Sequence, residues 1–275
     1  MKVNENEQKG ALIIIGGAEN RSANGRILQE FVKLSGGEKA IIAVVAVASR
    51  FPIETSDDYK RVFTELGAAE IEYLEINERE DAMKSATIEI VKRATGVFFT
   101  GGNQNRITQM LAGTKIDEIL HRRNETDNLI IAGTSAGAAM MSNIMIAGGM
   151  PEYAFYFGTI ELRPGMNFLS GVLIDQHFEQ RGRLRRLLAA VAEHSRDLGV
   201  GIDEDTAIIV EKNAFRVIGE GTVTVVDASD VSFTNMPELG KDELLTLFGV
   251  KVHILAPEYR FDLRERLPQQ INLNL

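Results

Sequence analysis

The chain has 275 residues, 44% of them hydrophobic and 25% charged, which excludes a disordered or fibrous chain and is ample for a globular α/β core. It contains no cysteine, so disulfides, thiolate metal sites and a cysteine nucleophile are excluded. A net charge of −9 argues against general nucleic-acid binding and is compatible with a cationic ligand. Residues 1–9 read as a charged polar arm without the apolar segment of a secretory signal. The longest apolar runs, such as 40–48, are too short to span a bilayer, so the expectation is a cytoplasmic protein that binds no membrane.

Residues 11–15 form a continuous apolar run ending in Gly16-Gly17, the pattern of a buried strand. Ile27, Leu28, Phe31, Val32 and Leu34 recur at helical spacing before Gly36-Gly37. Residues 40–48, rich in Ile, Val and Ala, predict a second strand covered on both faces. Ser56-Asp57-Asp58 predicts a helix start, with Tyr59, Val62, Phe63 and Leu66 turned inward and Gly67 at its end. Residues 69–76 predict a third strand, 82–94 a third helix, and 96–100 a fourth strand ending in Gly101-Gly102. Two helical stretches, 106–112 and 114–123, lead to a fifth strand at 129–132. Strands and helices thus alternate at intervals of about 30 residues, the βαβ signature of a parallel sheet. Ligands bind outside the carboxyl ends of such strands. Gly16-Gly17, Ser49-Arg50, Gly101-Gly102 and Ser135 all fall at those ends and should converge on one rim.

Residues 148–171 lose all periodicity among Pro151, Tyr153, Phe155, Tyr156, Phe157 and Pro164, and read as a long surface loop. Residues 172–175 predict a sixth strand running into Gln176-His177-Phe178, and 180–194 a helix with Leu184, Leu187, Leu188 and Val191 inside. Beyond Leu198 the period changes to two. Residues 207–210, 215–218, 222–226 and 250–255 predict short, mainly antiparallel strands, with a hairpin turn at Lys212-Asn213. No repeat or linker interrupts the pattern. The expectation is one domain over 1–275, an α/β fold with a mostly parallel sheet flanked by helices and antiparallel strands in its C-terminal part. Neither glycine pair completes G-x-G-x-x-G and no Walker sequence occurs, so no cofactor and no metal are expected.

Gly133-Thr134-Ser135-Ala136-Gly137 follows an apolar run and precedes small, helix-compatible residues. This is the strand–turn–helix context in which a G-x-S-x-G serine becomes a nucleophile. The alternative is a glycine-rich turn whose serine caps the helix. A nucleophilic serine needs a base and an acid that orients it. His121 and His194 lie at polar helix ends, where a solvated role is expected, and His253 on an alternating strand. His177 alone follows a parallel strand and can reach Ser135. For the acid, Asp203, Glu204 and Asp205 are consecutive, and spacing does not choose among them.

These three segments, Gly133–Ala138, Asp175–Phe178 and Gly201–Ala207, together resemble the cyanophycinases. That family of serine peptidases includes dipeptidase E and has a fold similar to class I glutamine amidotransferases, itself flavodoxin-like. Further matches are residues 14–19, 48–50, 100–104, 145–149 and 217–223, so the resemblance covers nearly the whole chain. It implies the catalytic triad Ser135, His177 and Glu204, in that chain order. It implies an oxyanion hole from the N–H of Ala136 with one from Gly102 or Asn103. It implies substrate contacts at Gln104, Asp175, Gln176, Arg181, Arg183 and Arg186. The substrate implied is cyanophycin, a poly-aspartate backbone carrying arginine on each β-carboxyl group, cleaved through an acyl-enzyme to β-aspartyl-arginine. A homodimer is the implied assembly.

Two features depart from the family: Asn103 stands where many members have Asp, and the segment from Met150 to Gly171 differs from the cyanobacterial form. The side chain preferred on the β-carboxyl therefore stays open between arginine, lysine and others. The alternative functions are a dipeptidase acting on other α- or β-aspartyl peptides, and a non-catalytic binding domain of amidotransferase-like fold.

Overall fold

The computed structural model describes residues 9–149, 155–240 and 243–270. Most of the polar arm at 1–9 therefore lies outside the described residues. The first half follows the expected alternation: β1 (Leu12–Ile15), α1 (Arg26–Leu34), β2 (Ile41–Val45), α2 (Pro52–Glu65), β3 (Glu70–Tyr73), α3 (Ser85–Arg93), β4 (Gly96–Phe99), α4 (Gln104–Leu111), α5 (Lys115–Thr126) and β5 (Ile130–Thr134). These five strands are parallel, in the spatial order β1-β5-β4-β2-β3. Their continuous apolar runs are explained by burial on both faces. Ile13 and Ile15 pack with Phe31, Tyr59 and Phe63 from α1 and α2 on one side. Leu12 and Ile14 pack with Ile107, Ile116 and Leu120 from α4 and α5 on the other.

After β5 come α6 (Ala136–Ala139), β6 (Ile144–Gly149), β7 (Ile160–Pro164), β8 (Val172–Gln176), α7 (Leu184–Glu193), β9 (Leu198–Ile202), β10 (Thr206–Glu211), β11 (Ala214–Gly219) and β12 (Val223–Asp227). The short strands β13 (Phe233–Thr234), β14 (Leu247–Phe248), β15 (Lys251–Leu255), β16 (Arg260–Asp262) and β17 (Leu267–Gln269) complete the described chain. Among the described residues, β10, β11, β16 and β17 extend the parallel sheet antiparallel from β1, giving nine strands. A second sheet has the order β15-β12-β9-β8, with β8 and β9 parallel and the rest antiparallel. The predicted sixth strand thus belongs to a separate sheet. Residues from both sheets, such as Ile131 and Ile174, share one apolar core.

Four local expectations are corrected. Helix α2 begins at Pro52, four residues before Ser56, because proline is preset for the first helical position; Ser56 is buried within the helix. The third helix is split: a 3-10 turn at Arg79–Met83 precedes α3, fixed by the Asp81 carboxylate, which accepts the N–H groups of Asn77 and Glu78. The stretch 148–171 is not simply a loop, since β6 and β7 pair as an antiparallel ladder with a bulge between Ile146 and Gly148; residues 150–154 lie outside the described residues. Finally, α7 starts at Leu184, after a 3-10 turn at Glu179–Arg181 that ends with Gly182 in the left-handed region. No helix among the described residues is long and apolar enough to cross a membrane.

Candidate active site

Ser135 stands between the end of β5 and the four-residue helix α6, with φ 53° and ψ −108°. A non-glycine residue there is strained and persists only when its surroundings fix it. Its N–H donates to Ile15 O at 3.0 Å, which ties the turn to β1. The neighbours must be glycine for packing reasons. A Cβ on Gly133 would lie 2.2 Å from Gly137 O, and one on Gly137 would lie 2.4 Å from Phe99 O. The Ser135 side chain makes no capping hydrogen bond to α6, so the alternative of a capping serine is not what the geometry shows.

Its hydroxyl instead lies 2.9 Å from His177 Nε2 and 3.3 Å from Gln176 Oε1. His177 follows β8 with φ 49°, and its N–H donates to Gly16 O at 2.8 Å. Its Nδ1 lies 2.5 Å from Glu204 Oε1. A carboxylate only accepts, so Nδ1 carries the hydrogen and Nε2 is left to accept from Ser135. Burial lowers the His177 pKa, and the charges of Arg181 and Arg183 push the same way against the opposing pull of Glu204. The imidazole is therefore held in its neutral, basic form.

The two neighbouring carboxylates are committed elsewhere. Asp203 accepts from the N–H of Glu179 and from both the N–H and hydroxyl of Thr222. Asp205 accepts from the N–H of Asn20. Glu204 alone faces the histidine, and its own N–H is held by Gln180 Oε1 at 3.0 Å. The other histidines lie away from this cluster. His121 is not a solvated helix end: the chain at 166–168 folds over α5, its ring stacks on Phe168 at 4.3 Å, and Nε2 bonds Met166 O. His194 is partly exposed beyond α7, and His253 packs beside Phe261.

Of the expected backbone donors, Ala136 occupies the first turn of α6, where an N–H has no intrahelical acceptor. Gly102 approaches so closely that a Cβ would lie 2.0 Å from Ala48 O. The Asn103 N–H is already spent on Ala48 O at 3.0 Å, which removes it as a donor and leaves Gly102 from that loop. The Asn103 side chain caps α4.

The remaining residues divide by burial. Gln104 donates to Ile146 O and Ala147 O, fastening α4 to the bulge of β6. Asp175 is fully buried and is gripped by both Arg183 and Arg186, each 8% exposed. Arg183 also donates to Gln176 O, and burial lowers its pKa to about 10. Only Arg181 of the three arginines is exposed. Charge pattern alone could not distinguish them, because their partner lies on β8. Two contributors lie in the turn after β1, which the sequence places on the rim without giving either residue a role. Gly17 makes room for the His177 ring, and the buried Glu19 receives the hydroxyl of Thr134. Their signal was only a second glycine and an isolated acid after a strand. Among the described residues no three histidine, aspartate or glutamate side chains converge as metal ligands.

A serine after β5 of the large sheet, a histidine after β8 and a glutamate after β9 of the second sheet define a hydrolase of the serine-peptidase class. Residues 12–218 match peptidase family S51, and the chain belongs to that family. It is 40% identical over 259 residues to the cyanophycinase of Trichormus variabilis, covering 94% of this chain and 87% of the relative. It is 36% identical over 261 residues to the cyanophycinase of Geminocystis herdmanii, covering 94% and 96%. In fold it is similar to a peptidase from an acI-B1 actinobacterium, with a TM-score of 0.62 at 21% identity over 90% of this chain and 98% of that one. A putative peptidase E protein from Listeria monocytogenes superposes with a TM-score of 0.52 at 14% identity, over 77% and 99%.

Proposed function

We propose that this serine peptidase degrades cyanophycin to β-aspartyl-arginine dipeptides through an acyl-enzyme on Ser135. His177 Nε2 takes the hydroxyl proton as Ser135 Oγ attacks a backbone amide carbonyl, then returns that proton to the leaving amine. Glu204 holds the ring and stabilises its cation. The N–H groups of Ala136 and Gly102 receive the developing oxyanion, a contribution of about 3 kcal/mol per donor. Water then attacks the acyl carbon as His177 takes its proton, and His177 passes that proton to Ser135 Oγ as the acyl–Oγ bond breaks and the acid product leaves. The observation that carries this reading is the relay from Ser135 Oγ through His177 to Glu204, at 2.9 and 2.5 Å, on a backbone strained at both serine and histidine.

The substrate assignment is supported by the similarity to two cyanophycinases over almost the full chain. Arg181, exposed four residues after His177, is the cation we assign to a carboxylate of the polymer. Arg183 and Arg186 are assigned to holding Asp175, not to direct contact with substrate. The test is to incubate purified protein with insoluble cyanophycin and identify the products. Release of β-Asp-Arg, abolished in a folded Ser135→Ala variant, is expected. Activity persisting in that variant overturns the mechanism, and cleavage of α-aspartyl dipeptides in place of the polymer overturns the substrate.

A further inference from the structure

The end of β1 and the turn that follows it bond to each of the three segments that carry the triad. Ile15 O accepts the N–H of Ser135, and Gly16 O accepts the N–H of His177 at 2.8 Å. Gly17 O accepts the N–H of Asp205, next to Glu204, at 2.9 Å, and the N–H of Asn20 donates to the Asp205 carboxylate at 2.8 Å. Glu19 Oε2 accepts the hydroxyl of Thr134, the residue before Ser135, at 2.5 Å. The serine, histidine and glutamate arrive on three separate chain segments from two sheets, and this one turn bonds to all three.

Glu19 is what locks it. Its side chain is wholly buried, and a buried carboxylate is tolerated only when paired and hydrogen-bonded. Thr134 fills one oxygen; the hydroxyl of Tyr59 and Nε of Arg21 fill the other. The Arg21 guanidinium lies 4.4 Å over the Tyr59 ring, which fixes the cation that balances the charge. The turn itself needs such a lock, because Gly17 and Ala18 are both in the left-handed region, at φ 104° and 48°. The carboxylate is an acceptor met by three donors, a set that a neutral amide cannot reproduce without reversing one bond.

We propose that Glu19 is a positioning residue for the hydrolytic reaction, acting through Thr134 to hold the strained Ser135 turn in register with His177. This rests on the triad proposed above. Glu19 contributes no atom to bond making; it fixes where Ser135 Oγ sits. Misplacement of a reacting group by about 1 Å can cost about 100-fold in rate.

The experiment compares the full-length protein with Thr134→Val, Thr134→Ser, Glu19→Gln and the Thr134→Val/Glu19→Gln double variant. Turnover of cyanophycin and the rate at which a fluorophosphonate labels Ser135 are both expressed per folded molecule. Thr134→Val removes only the hydroxyl, and kcat and labelling rate should fall roughly 10- to 100-fold with KM nearly unchanged. Thr134→Ser restores the hydroxyl and should recover most of the rate. Glu19→Gln should lose a comparable factor, and the double variant should be no slower than the slower single one, as expected for two residues acting as a unit. Unchanged rates per folded molecule with only a lower Tm, or losses that multiply in the double variant, overturn the proposal. Labelling does not depend on cyanophycin, so an error in the substrate leaves this arm intact. A Ser135→Ala protein that still turns over the polymer would instead overturn the triad.

Discussion

The imidazole of His177 rests against the backbone of Gly17, so closely that a Cβ at that glycine would lie 2.3 Å from Cε1 and 2.5 Å from Nε2. Gly17→Ala must therefore push away the nitrogen that faces Ser135. Gly67, at φ 85° with nothing within 4 Å of its would-be Cβ, is the control. Each substitution places a side chain in the left-handed region, at a cost of about 1–2 kcal/mol. Kinetics beside thermal melts should show both variants destabilised, but only Gly17→Ala losing about 100-fold or more in kcat.

The three consecutive carboxylates should separate cleanly by substitution. Glu204 touches His177 and is about one-third exposed, so Glu204→Gln should leave unfolding in urea almost unchanged while kcat falls roughly 10³- to 10⁴-fold. Asp203 is buried and joins the turn after His177 to the start of β12 through three hydrogen bonds. Asp203→Ala leaves those donors unmet and should cost about 3 kcal/mol of stability. A variant of Asp203 that loses turnover without losing stability would reverse the two roles.

That division also marks where sequence reasoning stops. Ser135 could be found because the tight turn demands Gly133 and Gly137, a constraint written within five residues. His177 could be found because it follows a strand directly. The parallel strands were legible because burial on both faces forces unbroken runs such as Leu12–Ile15. The choice of Glu204 was different: Asp203 and Asp205 are turned away by partners at Thr222 and Asn20, far off in the chain, and only the family resemblance pointed to Glu204. The burial of Arg183 and Arg186 was hidden in the same way, since Asp175 lies eight and eleven residues upstream on another element. The β6–β7 ladder was obscured by its own glycines, prolines and aromatics, which mask a period of two.

The acid limb of activity should lie below the ordinary histidine range. Burial, followed by the charges of Arg181 and Arg183, lowers the His177 pKa, so the basic form survives to lower pH than in a free imidazole. Arg181→Gln removes one of those cations from an exposed position, which raises the pKa. The acid limb of kcat/KM should then move to higher pH. A limb that stays in place, or moves to lower pH, contradicts the assigned electrostatics.

Ser135 itself should be a site where stability and activity oppose each other. Its φ of 53° and ψ of −108° suit glycine and penalise any residue with a Cβ. Ser135→Gly relieves about 1–3 kcal/mol of strain, against roughly 0.5–1 kcal/mol lost by loosening the unfolded chain. A net gain of about 1 kcal/mol corresponds to roughly 2–4 °C in Tm for a chain of this size. Ser135→Ala keeps the Cβ and the strain, so its Tm should stay near that of the parent. Both variants should be inactive. Calorimetry on the three proteins decides the point: a Ser135→Gly variant no more stable than Ser135→Ala would mean that the turn stores no strain.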